Sequence, residues 1–185
     1  YQVILICNFD DGRLHPLTSD RPKCLLPVGN RSIMSYQLDL LEQYGAAEIF
    51  VVAPREYHAQ LAHFLAKRET GGVPSATDTS APPTVDLVCV DEMLGTVDGI
   101  RAVMERITGD FIVLSSDVIT DFPLATLTHQ HRIRGADVTS LFATLPAESA
   151  ADTKKGAALR ATKGDEEDSE YVGIAGDGRL VLKVP

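Results

Sequence analysis

At 185 residues and 44% hydrophobic content, the chain can bury one full core, and its length suits a single domain better than two. A formal net charge of −9 excludes broad, sequence-independent nucleic-acid binding, which needs a basic surface to displace condensed counterions. No apolar run approaches the roughly 20 residues that span a bilayer, and the opening run Val3 to Cys7 lacks the basic flank and cleavage site of a signal peptide, so no membrane partner and a cytosolic location are expected.

Val3 to Cys7 is a continuous apolar run, the pattern of a parallel strand covered on both faces. Ile33 to Tyr44 carries Ile33, Tyr36, Leu38, Leu40 and Leu41 at mostly helical spacing, with Asn30 or Ser32 as N-cap and Gly45 placed for the C-terminal end. Ile49 to Ala53 reads as a second buried strand, Glu56 to Lys67 as a second helix and Val85 to Val90 as a third strand. A helix over Thr96 to Ile107, a strand over Phe111 to Leu114, a helix over Leu124 to Arg134 and a strand over Val138 to Thr144 continue the alternation. Such alternation predicts an α/β domain with a doubly wound, mostly parallel sheet. Ligands of these sheets bind beyond the carboxyl ends of the strands, so the segments after Cys7, Val90 and Leu114 are where chemistry belongs.

Two stretches, near 69–84 and 147–170, lack a core-forming pattern and read as mobile loops; the second ends in the acidic run Asp165 to Asp168, read as a solvated loop. Beyond it, Tyr171 to Ala175 and Leu180 to Val184 flank Asp177-Gly178, the signal of a hairpin. The sequence stops at Pro185 directly after an apolar run, as expected of a C-terminally incomplete domain. The cysteines at 7, 24 and 89 are widely spaced with no CxxC, so no disulfide framework is expected, and Cys7 and Cys89 read as small core residues. His58 and His63 stand five apart on a helix, not three or four, and His129 and His131 point apart; no metal site is expected from them.

The stretch after the first strand is the most distinctive: Arg13-Leu14-His15-Pro16-Leu17-Thr18, then Pro22-Lys23, then Leu25-Leu26-Pro27-Val28. It resembles the signature of sugar-1-phosphate nucleotidyltransferases, in which a strand leads into a glycine-rich loop ending in Arg, then Leu-x-Pro-Leu-Thr and Pro-Lys-x-Leu-Leu-Pro-Val. Leu94-Gly95-Thr96 and Val113-Leu114-Ser115-Ser116-Asp117 extend the resemblance. It implies a Rossmann-like nucleotidyltransferase fold. It further implies that Arg13 meets triphosphate oxygens, Lys23 steadies charge on the transferring phosphate, Gly95 and Thr96 lie on the nucleobase side, and Asp117 holds Mg²⁺.

One departure outweighs these matches. Where the family places glycines so that backbone N–H groups can approach phosphate, this chain has Asn8, Phe9, Asp10 and Asp11, with Gly12 alone supplying a glycine. A ring at Phe9 fills phosphate space, and each carboxylate within about 4 Å of a phosphate oxygen adds repulsion of order 1–4 kcal/mol. Asp10 and Asp11 are read as solvated loop residues rather than as a relocated metal site. The vestigial site positions are therefore Asn8, Phe9, Asp10, Asp11, Gly12, Arg13, Lys23, Gly95, Thr96 and Asp117, with no catalytic residue, no metal and no cofactor expected.

Loss of that loop, together with Pro27-Val28-Gly29-Asn30, Gly95-Thr96-Val97-Asp98-Gly99-Ile100 and the run through Asp117-Val118-Ile119-Thr120-Asp121, resembles a eukaryotic branch of the family, the gamma and epsilon subunits of translation initiation factor 2B, and gamma more than epsilon. The resemblance implies a non-catalytic subunit of the complex that exchanges guanine nucleotide on translation initiation factor 2, with the epsilon and other factor 2B subunits as partners. An active sugar-1-phosphate nucleotidyltransferase using Mg²⁺, and a weak regulatory nucleotide pocket without transfer, stay open as alternatives.

Overall fold

The computed structural model describes residues 1–8, 12, 14–71, 83–91, 95–142 and 171–184. The chain divides into two compact units, Tyr1–Thr139 and Ser140–Pro185.

The first unit is a four-stranded parallel sheet in the order β5-β4-β1-β6, built from β1 (Gln2–Ile6), β4 (Glu48–Pro54), β5 (Thr84–Val90) and β6 (Phe111–Ser115). Because successive side chains of a strand point to opposite faces, the apolar run of β1 feeds two cores. Val3, Leu5 and Cys7 join Met34, Leu38 and Leu41 of α1 (Ile33–Gln43), Leu61 and Leu65 of α2 (His58–Gly71) and Leu124 of α4 (Leu124–Arg134). Ile4 and Ile6 instead meet Phe50, Val52, and Ile100 and Val103 of α3 (Thr96–Val103). Three helices thus cover one face and α3 the other, which is the doubly wound α/β arrangement expected from the alternation.

Local chemistry sets the element ends. Ser32 caps α1, its Oγ accepting from the Ser35 amide at 3.2 Å. Gly45, at φ 69°, ends the helix, with Gly45 N donating to Glu42 O and Ala46 N to Leu41 O, both at 3.0 Å. Gly135, at φ 54°, ends α4 in the same way. Between the first strand and α1, β2 (Pro27–Val28) and β3 (Arg31–Ser32) form a two-residue ladder across Gly29 and Asn30. Both turn residues have positive φ, 57° and 68°, as a type I′ turn requires.

Three expectations need correction. The buried stripe of α1 is Met34, Gln37, Leu38 and Leu41, with Tyr36 and Leu40 half-buried; the spacing was right and the face was rotated. The second helix runs past Lys67 to Gly71 and is preceded by a 3-10 turn over Arg55–Tyr57, so the loop expected from 69 starts later, and its residues 72–82 lie outside the described ones. No strand forms over Val138–Phe142: Val138 is 80% exposed and Phe142 51%, and among the described residues β6 pairs only with β1. A β-favouring run becomes a strand only where a neighbour offers backbone partners.

In the second unit, β7 (Tyr171–Ile174) and β8 (Leu180–Val184) pair antiparallel about a turn with Gly178 at φ 83°. This is the hairpin expected from Asp177-Gly178. The loop expected over 147–170 lies outside the described residues.

Candidate functional site

From β1 the chain moves outward in one direction, to β4 and β5, and then returns past β1 to β6. The strand order therefore reverses between β1 and β6, which is where sheets of this kind form their ligand crevice, at the carboxyl ends of both strands. Two backbone bonds carry the sheet past its formal end: Cys7 N donates to Val52 O at 2.8 Å and Ser116 N to Ile6 O at 2.9 Å. Asn8 and Asp117 follow immediately on either side of the crevice.

Lys23 reaches this point from a 3-10 turn, Lys23–Leu25. Cys24 anchors that turn with full burial in the α1-side core, and its neighbour Lys23 is left pointing to the crevice. Lys23 Nζ lies 2.8 Å from Asp117 Oδ2, and Ser115 Oγ donates to Asp117 Oδ1 at 2.6 Å. Burial pushes the Asp117 carboxyl up, but the hydrogen bonds from Lys23 and Ser115 and the Lys23 charge outweigh it and hold the group below the usual carboxylate range. Contact with Cys24, together with burial, pushes the Cys7 thiol well above its usual value, so the layer beneath the ion pair is a neutral one. Cys89 is only half-buried because β5 is an edge strand.

Of the positions expected to form the site, the structure joins Lys23 and Asp117 directly and sets Asn8 beside them, its Oδ1 buried without a hydrogen-bond partner among the described residues. Gly12 adopts φ 82°, a left-handed conformation that favours glycine. Gly95 and Thr96 stand at the start of α3, after β5. Phe9, Asp10, Asp11 and Arg13 lie outside the described residues, so the reading of the altered loop stays a sequence argument.

Among the described residues magnesium finds a poor donor set. The described residues offer it the Asp117 carboxylate, with one oxygen on Lys23 and the other on Ser115, and contain no cluster of three or more candidate metal ligands. A hard divalent cation needs several oxygen ligands.

Gln37 was not singled out from the sequence, and Ser115 was named only as part of the run that ends at Asp117. Gln37 Nε2 donates to Ser115 O at 2.8 Å and to Val118 O at 2.7 Å. The available signal was a polar residue inside the helical stripe 34-37-38-41, where apolar side chains belong.

The nucleotidyl transferase family model matches residues 11–153. Among curated relatives, the chain is 30% identical over 138 residues to translation initiation factor eIF2B subunit epsilon of Schizosaccharomyces pombe, covering 74% of this chain and 19% of that protein. It is 31% identical over 125 residues to the gamma subunit of the same organism, covering 66% and 26%. It is 28% identical over 139 residues to a UTP–glucose-1-phosphate uridylyltransferase of Synechocystis, covering 74% and 35%. The match thus spans well under half of each of these relatives. A Bacillus anthracis structure assigned as a glucose-1-phosphate thymidylyltransferase shares the fold at a TM-score of 0.60 and 18% identity, over 71% of this chain and 50% of that one. With the family model covering well over half of the chain, from the loop after β1 through β6 and α4, this protein belongs to the nucleotidyl transferase family.

Proposed function

We propose that this domain belongs to a non-catalytic, gamma-type subunit of the cytosolic complex that exchanges guanine nucleotide on translation initiation factor 2, and that it supports assembly with the epsilon subunit. The observation that carries the reading is the composition of the loop after β1, Asn8-Phe9-Asp10-Asp11, where close backbone approach to phosphate calls for glycine. Two acidic side chains there repel a triphosphate rather than cradle it. The Lys23–Asp117 ion pair at 2.8 Å supports it, since the cation suited to a phosphate and the carboxylate suited to a metal are spent on each other. Similarity to both the epsilon and the gamma subunit of fission yeast supports the partner assignment.

A second reading, a sugar-1-phosphate nucleotidyltransferase, is favoured by the retention of Lys23 and Asp117 and by similarity to the Synechocystis uridylyltransferase. Pyrophosphate release separates the two. Incubated with Mg²⁺, each nucleoside triphosphate and a panel of sugar 1-phosphates, the protein is expected to release none above the uncatalysed background. Turnover in the ordinary enzymatic range of about 1–1000 s⁻¹ would establish the enzyme and end the non-catalytic reading.

A further inference from the structure

Gln37 is 1% exposed and, with Ser116, one of two polar side chains in the core of the described residues. Both of its hydrogen-bond partners, Ser115 O and Val118 O, are carbonyl oxygens. Carbonyls only accept, so the amide nitrogen must face them and the orientation of the side chain follows from chemistry. The two carbonyls bracket Ser116-Asp117, and the bonds from Gln37, at 2.8 and 2.7 Å, are shorter than the turn's own Val118 N to Ser115 O bond at 3.2 Å.

Lys23 depends on the same helix, because Cys24 beside it is packed in one core with Met34, Leu38 and Leu41 of α1. One helix therefore backs both halves of the ion pair. Gln37 Oε1 is left buried without a partner among the described residues. A leucine at this position of the stripe would avoid that desolvation penalty, so the amide is retained at a cost to the core.

We propose that Gln37 is the positioning residue of this site: its amide clamps the 115–118 turn onto α1 and so fixes the contact between Lys23 and Asp117. The clamp acts whether or not the site ever receives a nucleotide.

The test uses amide exchange and the Lys23 ammonium resonance, which NMR detects only while the group is held. In Gln37→Leu, the Val118 amide is expected to exchange about tenfold to a hundredfold faster, the range set by two lost hydrogen bonds with stranded carbonyls, and the Lys23 ammonium signal to vanish. The Ser116 amide, donating to Ile6 O in the sheet, keeps its protection. Gln37→Met keeps the length but has no donor at any pH, and is expected to give the same two changes. Leu40→Ala, half-buried on the same helix, is expected to lower global stability and move neither local signal. The proposal is overturned if either Gln37 variant folds with Val118 exchange changed only in step with Ser116 and with the Lys23 signal intact.

Discussion

Phe50→Ala is expected to lower the unfolding free energy by about 3–5 kcal/mol, the cost typical of deleting a buried aromatic ring. Phe50 is fully buried at the centre of β4 and joins Ile4, Ile6, Val52 and Val103 in the core beneath α3. Arg106 places its guanidinium 4.4 Å from the ring centroid, a cation–π contact that the substitution also removes. Among the described residues a single helix, α3, with Arg106 and Ile107 just beyond it, closes this face, so the cavity has few neighbours able to collapse into it. Val113→Ala, on the same face of the sheet but 40% exposed on the edge strand, is expected to cost about 1 kcal/mol or less. Urea midpoints at unchanged m-value check both. Equal losses for the two variants would mean that α3 does not pack as described.

The second large effect concerns the loop after β1. Replacing Phe9, Asp10 and Asp11 together by glycine is expected to raise the affinity for Mg²⁺-bound nucleoside triphosphate by about tenfold to a thousandfold, read by titration calorimetry. The basis is the removal of two charges, each worth about 1–4 kcal/mol of repulsion at contact distance, and the opening of backbone N–H groups to phosphate. Adding Lys23→Ala to that variant is expected to cancel most of the gain, because Lys23 is the cation at the crevice that a phosphate can recruit from Asp117. If the glycine loop gains nothing while the domain stays folded, the side chains at 9–11 are not what bars the nucleotide, and the explanation shifts to the ion pair.

The two central strands of the sheet were legible because they are covered on both faces. Runs such as Val3 to Cys7 and Ile49 to Ala53 carry no polar alternation, and both were fully buried where expected. Helix ends were legible where a single residue decides them: Ser32 was one of two N-cap candidates, with Asn30, and Gly45 was placed at the C-terminal end. The β2–β3 turn was missed although Gly29-Asn30 supplies the two positive φ angles. Strands of two residues have no periodicity to detect. The strand expected at Val138 to Thr144 failed over its described part, Val138 to Phe142, for the opposite reason, since composition favoured a strand but composition cannot supply a partner.

At the site, Lys23 and Asp117 stand 94 positions apart in sequence, and only the resemblance to a family joined them in advance. Their supports, Ser115 and Gln37, act through a hydroxyl placed two residues away and a helix amide reaching 78 positions. Neither leaves a mark in local patterning beyond one polar residue in an apolar stripe. Distance in sequence hid Gln37, whereas the hydroxyl of Ser115 stands beside its partner and gives no periodic signal.

The proposed use of a nucleotidyl transferase domain for assembly instead of transfer is tested most directly by the company the protein keeps. Full-length protein captured from its source cells at gentle salt and analysed by mass spectrometry is expected to bring down an epsilon-type subunit and the other factor 2B subunits in near-equal amounts. Recovery of the chain alone, or only with copies of itself, would contradict the account.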